Sequence, residues 1–144
     1  MDLPVRIDHV DTRVRSIALV EPFYDRLMPA LGWTRKTVAH VDADGEWLEV
    51  DQAHPYNTIE YYAPSDGDNP TNFIGFIEDP AMTPTRTRIA FGVTRAALEG
   101  WAARLRELGA KNVEPGDDDY AALFFEDPAG TRLELCARTA RPPD

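Results

Sequence analysis

The sequence predicts an α+β chain built from two βαβββ modules. Two observations lead there. A strand-like segment followed by an amphipathic helix that ends on a glycine occurs twice, and each helix is followed by short strand-like runs separated by tight turns. Strands linked so closely pair antiparallel, which favours a repeated module over a parallel βαβ sheet.

In the first module VRIDHVDTRV carries β-branched residues at strand spacing, and VEPFYDRLMPALGW repeats apolar residues at helical spacing through Val20, Phe23, Leu27, Ala30 and Leu31. Gly32 follows the last of these, where a left-handed C-terminal cap suits a residue without Cβ. Pro29 lacks an amide hydrogen and crowds the preceding turn, so it is expected to shorten or distort the end of the helix. Strands are expected near 33–40, at TIEYYA and at NFIGFI, the last two divided by the turn-rich PSDGDNPT. DADGEWLEVDQAHPYN reads as an insertion, and PAMTPTRT with its two prolines as a linker.

The second module opens on the strand TRIAFGV. One helix is expected over TRAALEGWAARLRELGA, with Leu98, Trp101, Ala102, Leu105 and Leu108 on one face, Thr94 as N-cap and Gly109 as the stop. Strands follow at 111–114, AALFFE and TRLELCA, the last two joined by the turn DPAG. One domain is expected over 1–144, with module one at about 5–78, a linker at 79–86 and module two at about 87–138.

Composition narrows the function classes. With 43% hydrophobic and 28% charged residues and no apolar run of membrane length, a soluble globular protein is expected. The net charge of −10 repels nucleic acid and anionic membrane, so neither is an expected partner. MDLPVRIDHV lacks the basic start of a signal peptide, and the lone Cys136 permits no internal disulfide, so a cytoplasmic protein is expected.

Three stretches together, IDHVDTRV with PFYDRLMPALGW, RIAFGV with the second helix, and YAALFFEDPAGTRLELC, resemble the vicinal oxygen chelate superfamily of glyoxalases, bleomycin-resistance proteins and extradiol dioxygenases. The resemblance implies that the modules form a cup-shaped, partly open mixed β-sheet barrel with helices outside. It also implies metal ligands on the first and last strand of each module. Carried onto this chain, those positions hold His9, Gly75, Arg88 and Glu134. The family often has histidine where Arg88 stands, and glycine offers no ligand.

Strand alternation puts Glu134 with Arg132 and Cys136, opposite Leu133 and Leu135. It likewise puts Arg88 with Ala90 and Gly92, opposite Ile89, Phe91 and Val93. An ion pair between Arg88 and Glu134 is therefore expected, the guanidinium meeting the carboxylate through paired hydrogen bonds.

His9, Arg88 and Glu134 are the candidate catalytic residues, and Trp47, Tyr61, Phe76, Tyr120 and Phe124 the candidate walls of a ligand pocket. If a metal is held, His9 and Glu134 are its ligands, short of the three that a catalytic centre uses. His40 and His54 read as surface residues. For His9 the competing reading is a cavity-wall residue bonded to a neighbour, and for Glu134 a purely structural ion pair. Alternation also leaves open which side of its strand Phe124 shows to the cup.

The resemblance leaves several functions open. The chain is expected to bind a small organic molecule with a degenerate metal site and no cofactor. The alternative is a metal-dependent lyase, isomerase or dioxygenase using zinc, iron, nickel or manganese. A third is metal-free catalysis, with Arg88 stabilising an oxyanion and His9 or Glu134 moving a proton. A homodimer is expected, since open sheet edges need covering.

Overall fold

Period-two alternation makes strands whose two faces differ, and helices settle on the apolar one. The computed structural model, which describes residues 6–65, 67 and 71–138, follows this rule twice. The expected turn PSDGDNPT includes Asp66 and 68–70, which lie outside the described residues. The chain divides into two compact units between Met82 and Thr83.

In the first unit β1 (His9–Val14) leads into α1 (Ile17–Leu31), followed by β2 (Arg35–Val41), β3 (Trp47–Leu48), β4 (Thr58–Tyr62) and β5 (Phe73–Glu78). The sheet order is β1-β5-β4-β2-β3. β1 and β5 are parallel and the other neighbours antiparallel. The side chain of Ser16 caps the start of α1 by accepting from the amide of Leu19. The carboxylate of Glu78 at the end of β5 accepts from the amide of Ile17 at 2.8 Å, satisfying another helix-start donor and tying helix to sheet.

Gly32 closes α1 at φ 108°, and the amide of Trp33 bonds the carbonyl of Met28 at 2.9 Å. The expected shortening at Pro29 does not occur, for the helix runs past both Pro22 and Pro29 to Leu31. Pro29 sits so near the end that it removes one helical bond, while buried Phe23, Tyr24, Leu27 and Met28 hold the helix to the sheet. β3 lies inside the expected insertion. Asp42 folds that hairpin by accepting from the amides of Asp44 and Glu46, which brings Trp47 opposite Val41.

The second unit has β6 (Arg88–Gly92), α2 (Arg95–Leu98), α3 (Trp101–Leu108), β7 (Lys111–Pro115), β8 (Ala122–Glu126) and β9 (Arg132–Cys136). Its sheet order is β6-β9-β8-β7, again with the first and last strands parallel. Thr94 caps α2 by accepting from the amide of Ala97, and Gly109 ends α3 at φ 99°. The single helix expected here is two helices. Gly100 takes φ 80°, which no α-helix contains, so α2 stops at Leu98 and a new helix starts at Trp101.

Asp127 shapes the DPAG turn by accepting from the amides of Ala129 and Thr131. α2 contacts β9 and α3 contacts β7, and Phe91, Leu123, Phe125, Leu133 and Leu135 on one side of the strands are buried together with Trp101 and Leu105.

Candidate functional site

Each sheet leaves one face free of its own helices, and the register shows which side chains share it. In the first unit one row runs Arg35, Tyr62, Phe73, His9 across β2, β4, β5 and β1. These side chains stack. The Arg35 guanidinium lies 4.8 Å over the Tyr62 ring, Tyr62 and Phe73 are 4.6 Å apart at 25°, and Phe73 and His9 are 4.4 Å apart at 4°. His9 therefore has a fixed ring plane. Its Nδ1 donates to Asp8 at 2.7 Å and its Nε2 lies 3.6 Å from Asp11. The hydrogen bond to Asp8 is the main reason its pKa rises above the usual histidine range, with Asp11 adding to the effect.

The next row holds Thr37, Glu60, Gly75 and Asp11. Asp11 reaches into the room that glycine leaves. A Cβ built on Gly75 would stand 2.5 Å from Asp11 Oδ1 and 3.7 Å from Glu60 Cγ. Glu60 is only 8% exposed and accepts from the Thr37 hydroxyl at 3.2 Å. Burial pushes its pKa up, Thr37 opposes that, and nearby Asp11 adds to it.

Sequence reasoning missed both acids. Asp11 stands two residues after His9 and so on its face of the strand, and Glu60 is the one acid in the apolar run TIEYY. Those were the available signals.

In the second unit the corresponding rows are Arg88, Arg132, Glu126, Lys111 and then Ala90, Glu134, Phe124, Glu114. The modules thus exchange an acid for a small residue: Asp11 beside Gly75 in one, Ala90 beside Glu134 in the other. Glu134 is 5% exposed, and its Oε1 accepts from the Tyr120 hydroxyl at 2.6 Å. Donating to that carboxylate pushes the Tyr120 pKa up to about 12. The Tyr120 and Phe124 rings lie 6.4 Å apart, and the Arg88 guanidinium sits 4.6 Å over Phe124.

The expected ion pair between Arg88 and Glu134 is not made; among the described residues no salt bridge joins them. Arg88 stands opposite Arg132, one row away from Glu134, and finds the Phe124 face instead. A cleft of about 250 Å³ opens here between Arg88, Arg132, Phe124, Glu126, Asn112 and Glu114.

Two of the aromatic residues expected to line a pocket lie elsewhere. Tyr61 and Phe76 are each 1% exposed and face α1: the Tyr61 hydroxyl donates to Asp25 at 2.9 Å, and Phe76 stacks on Tyr24 at 3.8 Å. The helix takes the apolar face of the sheet, and these rings are that face. Trp47 is on the short outer strand β3 and is 47% exposed, while Tyr120 and Phe124 share the open face with Glu134. His40 on β2 donates to the Pro55 carbonyl, His54 bonds Asp51, and the two rings meet edge to face at 5.2 Å.

A sequence model of the Glyoxalase/Bleomycin resistance protein/Dioxygenase superfamily matches residues 6–135. The chain belongs to this superfamily. Several solved structures share the fold. The fosfomycin resistance protein FosX from Mesorhizobium loti is 18% identical with a TM-score of 0.59, covering 95% of this chain and 94% of its own. FosX from Listeria monocytogenes, in complex with Mn(II) and a sulfate ion, is 16% identical with a TM-score of 0.60, covering 95% of each chain. An integron cassette protein from the mobile metagenome of the Halifax Harbour sewage outfall is 17% identical with a TM-score of 0.57, covering 92% and 98%. At such identities the likeness concerns the fold. Among curated proteins none matches this sequence.

The residues of this superfamily member do not fit a family-type metal centre. Such a centre asks for three protein ligands of suitable chemistry. Among the described residues no three His, Cys, Asp or Glu side chains are gathered to hold an ion. On β6 Arg88 is a permanent cation, which offers no lone pair to a metal, and the Glu134 carboxylate accepts from the Tyr120 hydroxyl.

Proposed function

We propose that this superfamily member binds a small organic molecule on the open face of the second unit's sheet and does so without a bound metal. The observation that carries this reading is the second unit's site: Arg88 lies over Phe124 at 4.6 Å beside a Glu134 that is bonded to Tyr120. Aromatic surface with a few fixed polar groups is how small ligands are held. Within the second unit Phe124 and Tyr120 supply the apolar wall, and Arg88 and Glu134 the charges. Among the described residues no helix is long and apolar enough to cross a membrane. The acidic charge and the lone cysteine support a cytoplasmic location, and the unpaired sheet edges support a homodimer.

The competing reading is a metal-dependent lyase, isomerase or dioxygenase, favoured by the Mn(II) in the FosX complex. Metal analysis of protein purified without chelator separates the two. Substoichiometric zinc, iron, nickel and manganese are expected, together with ligands that raise the melting temperature equally with and without EDTA. One tightly held divalent ion per chain, or ligand binding that needs Mn(II), overturns the metal-free reading.

A further inference from the structure

Arg88 and Arg132 are register partners on the parallel strands β6 and β9, so their side chains leave the same face side by side. Like charges placed directly opposite each other destabilise a sheet. A counter-ion is at hand, for Glu126 pairs with Arg132 across β8 and lines the same cleft. Yet among the described residues no salt bridge joins either arginine to a carboxylate. One oxygen of Glu126, Oε2, accepts from Asn112 Nδ2 at 2.9 Å, while its charge stays in the cleft.

Asn112 makes that bond from a strained place. It is the one non-glycine among the described residues with positive φ, 52°, at the irregularity in β7 between Lys111 and Glu114. A side chain in the left-handed region is costly, least so for asparagine, and such outliers at bulges cluster beside binding sites. The result is two arginines on neighbouring strands that both line a cleft of about 250 Å³ with the Phe124 ring in its wall and, among the described residues, make no salt bridge to a carboxylate. Glu114, the other acid of the cleft, is exposed like Arg88 and, among the described residues, makes no salt bridge to either arginine.

We propose that this cleft holds the oxyanion of a small ligand, a carboxylate, phosphonate or phosphate group, between Arg88 and Arg132. The planar forks of two guanidinium groups match such an anion, and its charge relieves their mutual repulsion. The assignment rests on the small-molecule reading above and adds to it the chemical class of the group bound at this face. Affinity comes from fork geometry rather than from net charge, because the cleft also carries two glutamates. Inorganic phosphate alone should therefore bind only at about the millimolar level.

The test follows the arginine side-chain N–H resonances of the full chain by NMR while inorganic phosphate, and separately acetate, is titrated at constant ionic strength. Saturable shifts of Arg88 and Arg132 are expected. Arg132→Gln and Arg88→Gln should each weaken phosphate binding by about tenfold or more, one lost charge-assisted contact, while Arg26→Gln on α1 leaves it unchanged. Arg88 is exposed, so Arg88→Gln carries the test alone if Arg132→Gln does not fold. Absence of saturation with either anion, or saturation that persists in both arginine variants, overturns the assignment. A neutral small molecule that shifts Tyr120 and Phe124 while phosphate leaves both arginines unmoved would sink the oxyanion and spare the functional reading. If no small molecule titrates this face, both fail.

Discussion

At Gly75 two residue-scale effects oppose each other. Glycine inside a strand loses more chain entropy on folding than alanine, by about 0.5–1 kcal/mol, so Gly75→Ala should stabilise the fold by that amount in free space. The space is taken, since a Cβ would meet Asp11 Oδ1 at 2.5 Å. Urea denaturation is expected to find Gly75→Ala neutral or destabilising in the natural sequence and stabilising by about 0.5 kcal/mol when Asp11→Ala is already present. Equal effects in both backgrounds would mean that Asp11 does not occupy that room.

His9 offers a second check at this scale. Its pKa is raised in the folded chain, so the proton it binds contributes stability that is fully present below the unfolded value and lost as pH rises through the folded one. An NMR titration of its ring should give a midpoint above 6.5, and Asp8→Asn, which removes the first cause, should lower it. A midpoint unmoved by Asp8→Asn would leave the hydrogen bond without a role. Glu134 has the Tyr120 hydroxyl as a donor and is 5% exposed, so Tyr120→Phe should cost about 1–3 kcal/mol in the same urea assay.

At the scale of elements, much was legible where a local rule has no competitor. Thr94, Gly32 and Gly109 cap or end helices, and Asp127 and Gly130 make the DPAG turn, because each satisfies backbone groups within a few residues; the Ser16 cap of α1 was not read from the sequence. The helix break was not legible. Leu98, Trp101, Ala102, Leu105 and Leu108 keep helical spacing across Gly100, and periodicity does not register the dihedral of one residue between them.

Nor could alternation say which of two faces a helix covers, which is why Tyr61 and Phe76 read as pocket walls while they pack under α1. The acids Asp11 and Glu60 were hidden for another reason: their closeness is fixed by the register of β1 and β4 on β5, a long-range fact. The break itself is testable by sign. In a continuous helix Gly100→Ala would stabilise by about 1 kcal/mol, whereas at φ 80° it should destabilise by about 1–2 kcal/mol. Urea midpoints decide between them.

For the whole molecule, charge and sheet edges act against each other. The strand orders β1-β5-β4-β2-β3 and β6-β9-β8-β7 end on strands with one hydrogen-bonding side unpaired within their own sheet. Trp47, Val50 and Tyr56, in the segment around the outermost β3, are exposed apolar surface. Both features favour burial against a second copy, the homodimer proposed above. Each copy nevertheless carries a net charge of −10, and two such bodies repel over the Debye length, about 30 Å at 0.01 M salt and about 10 Å at 0.1 M.

Association through apolar surface is little weakened by such salt, while the repulsion is largely screened, so added salt should favour the pair. Sedimentation equilibrium at micromolar protein is therefore expected to show a dimer whose dissociation constant falls, by about tenfold, between low and physiological salt. A dimer that weakens with salt would place ion pairs rather than apolar surface at the contact. A monomer under both conditions removes the dimer and leaves these edges to be covered within one chain.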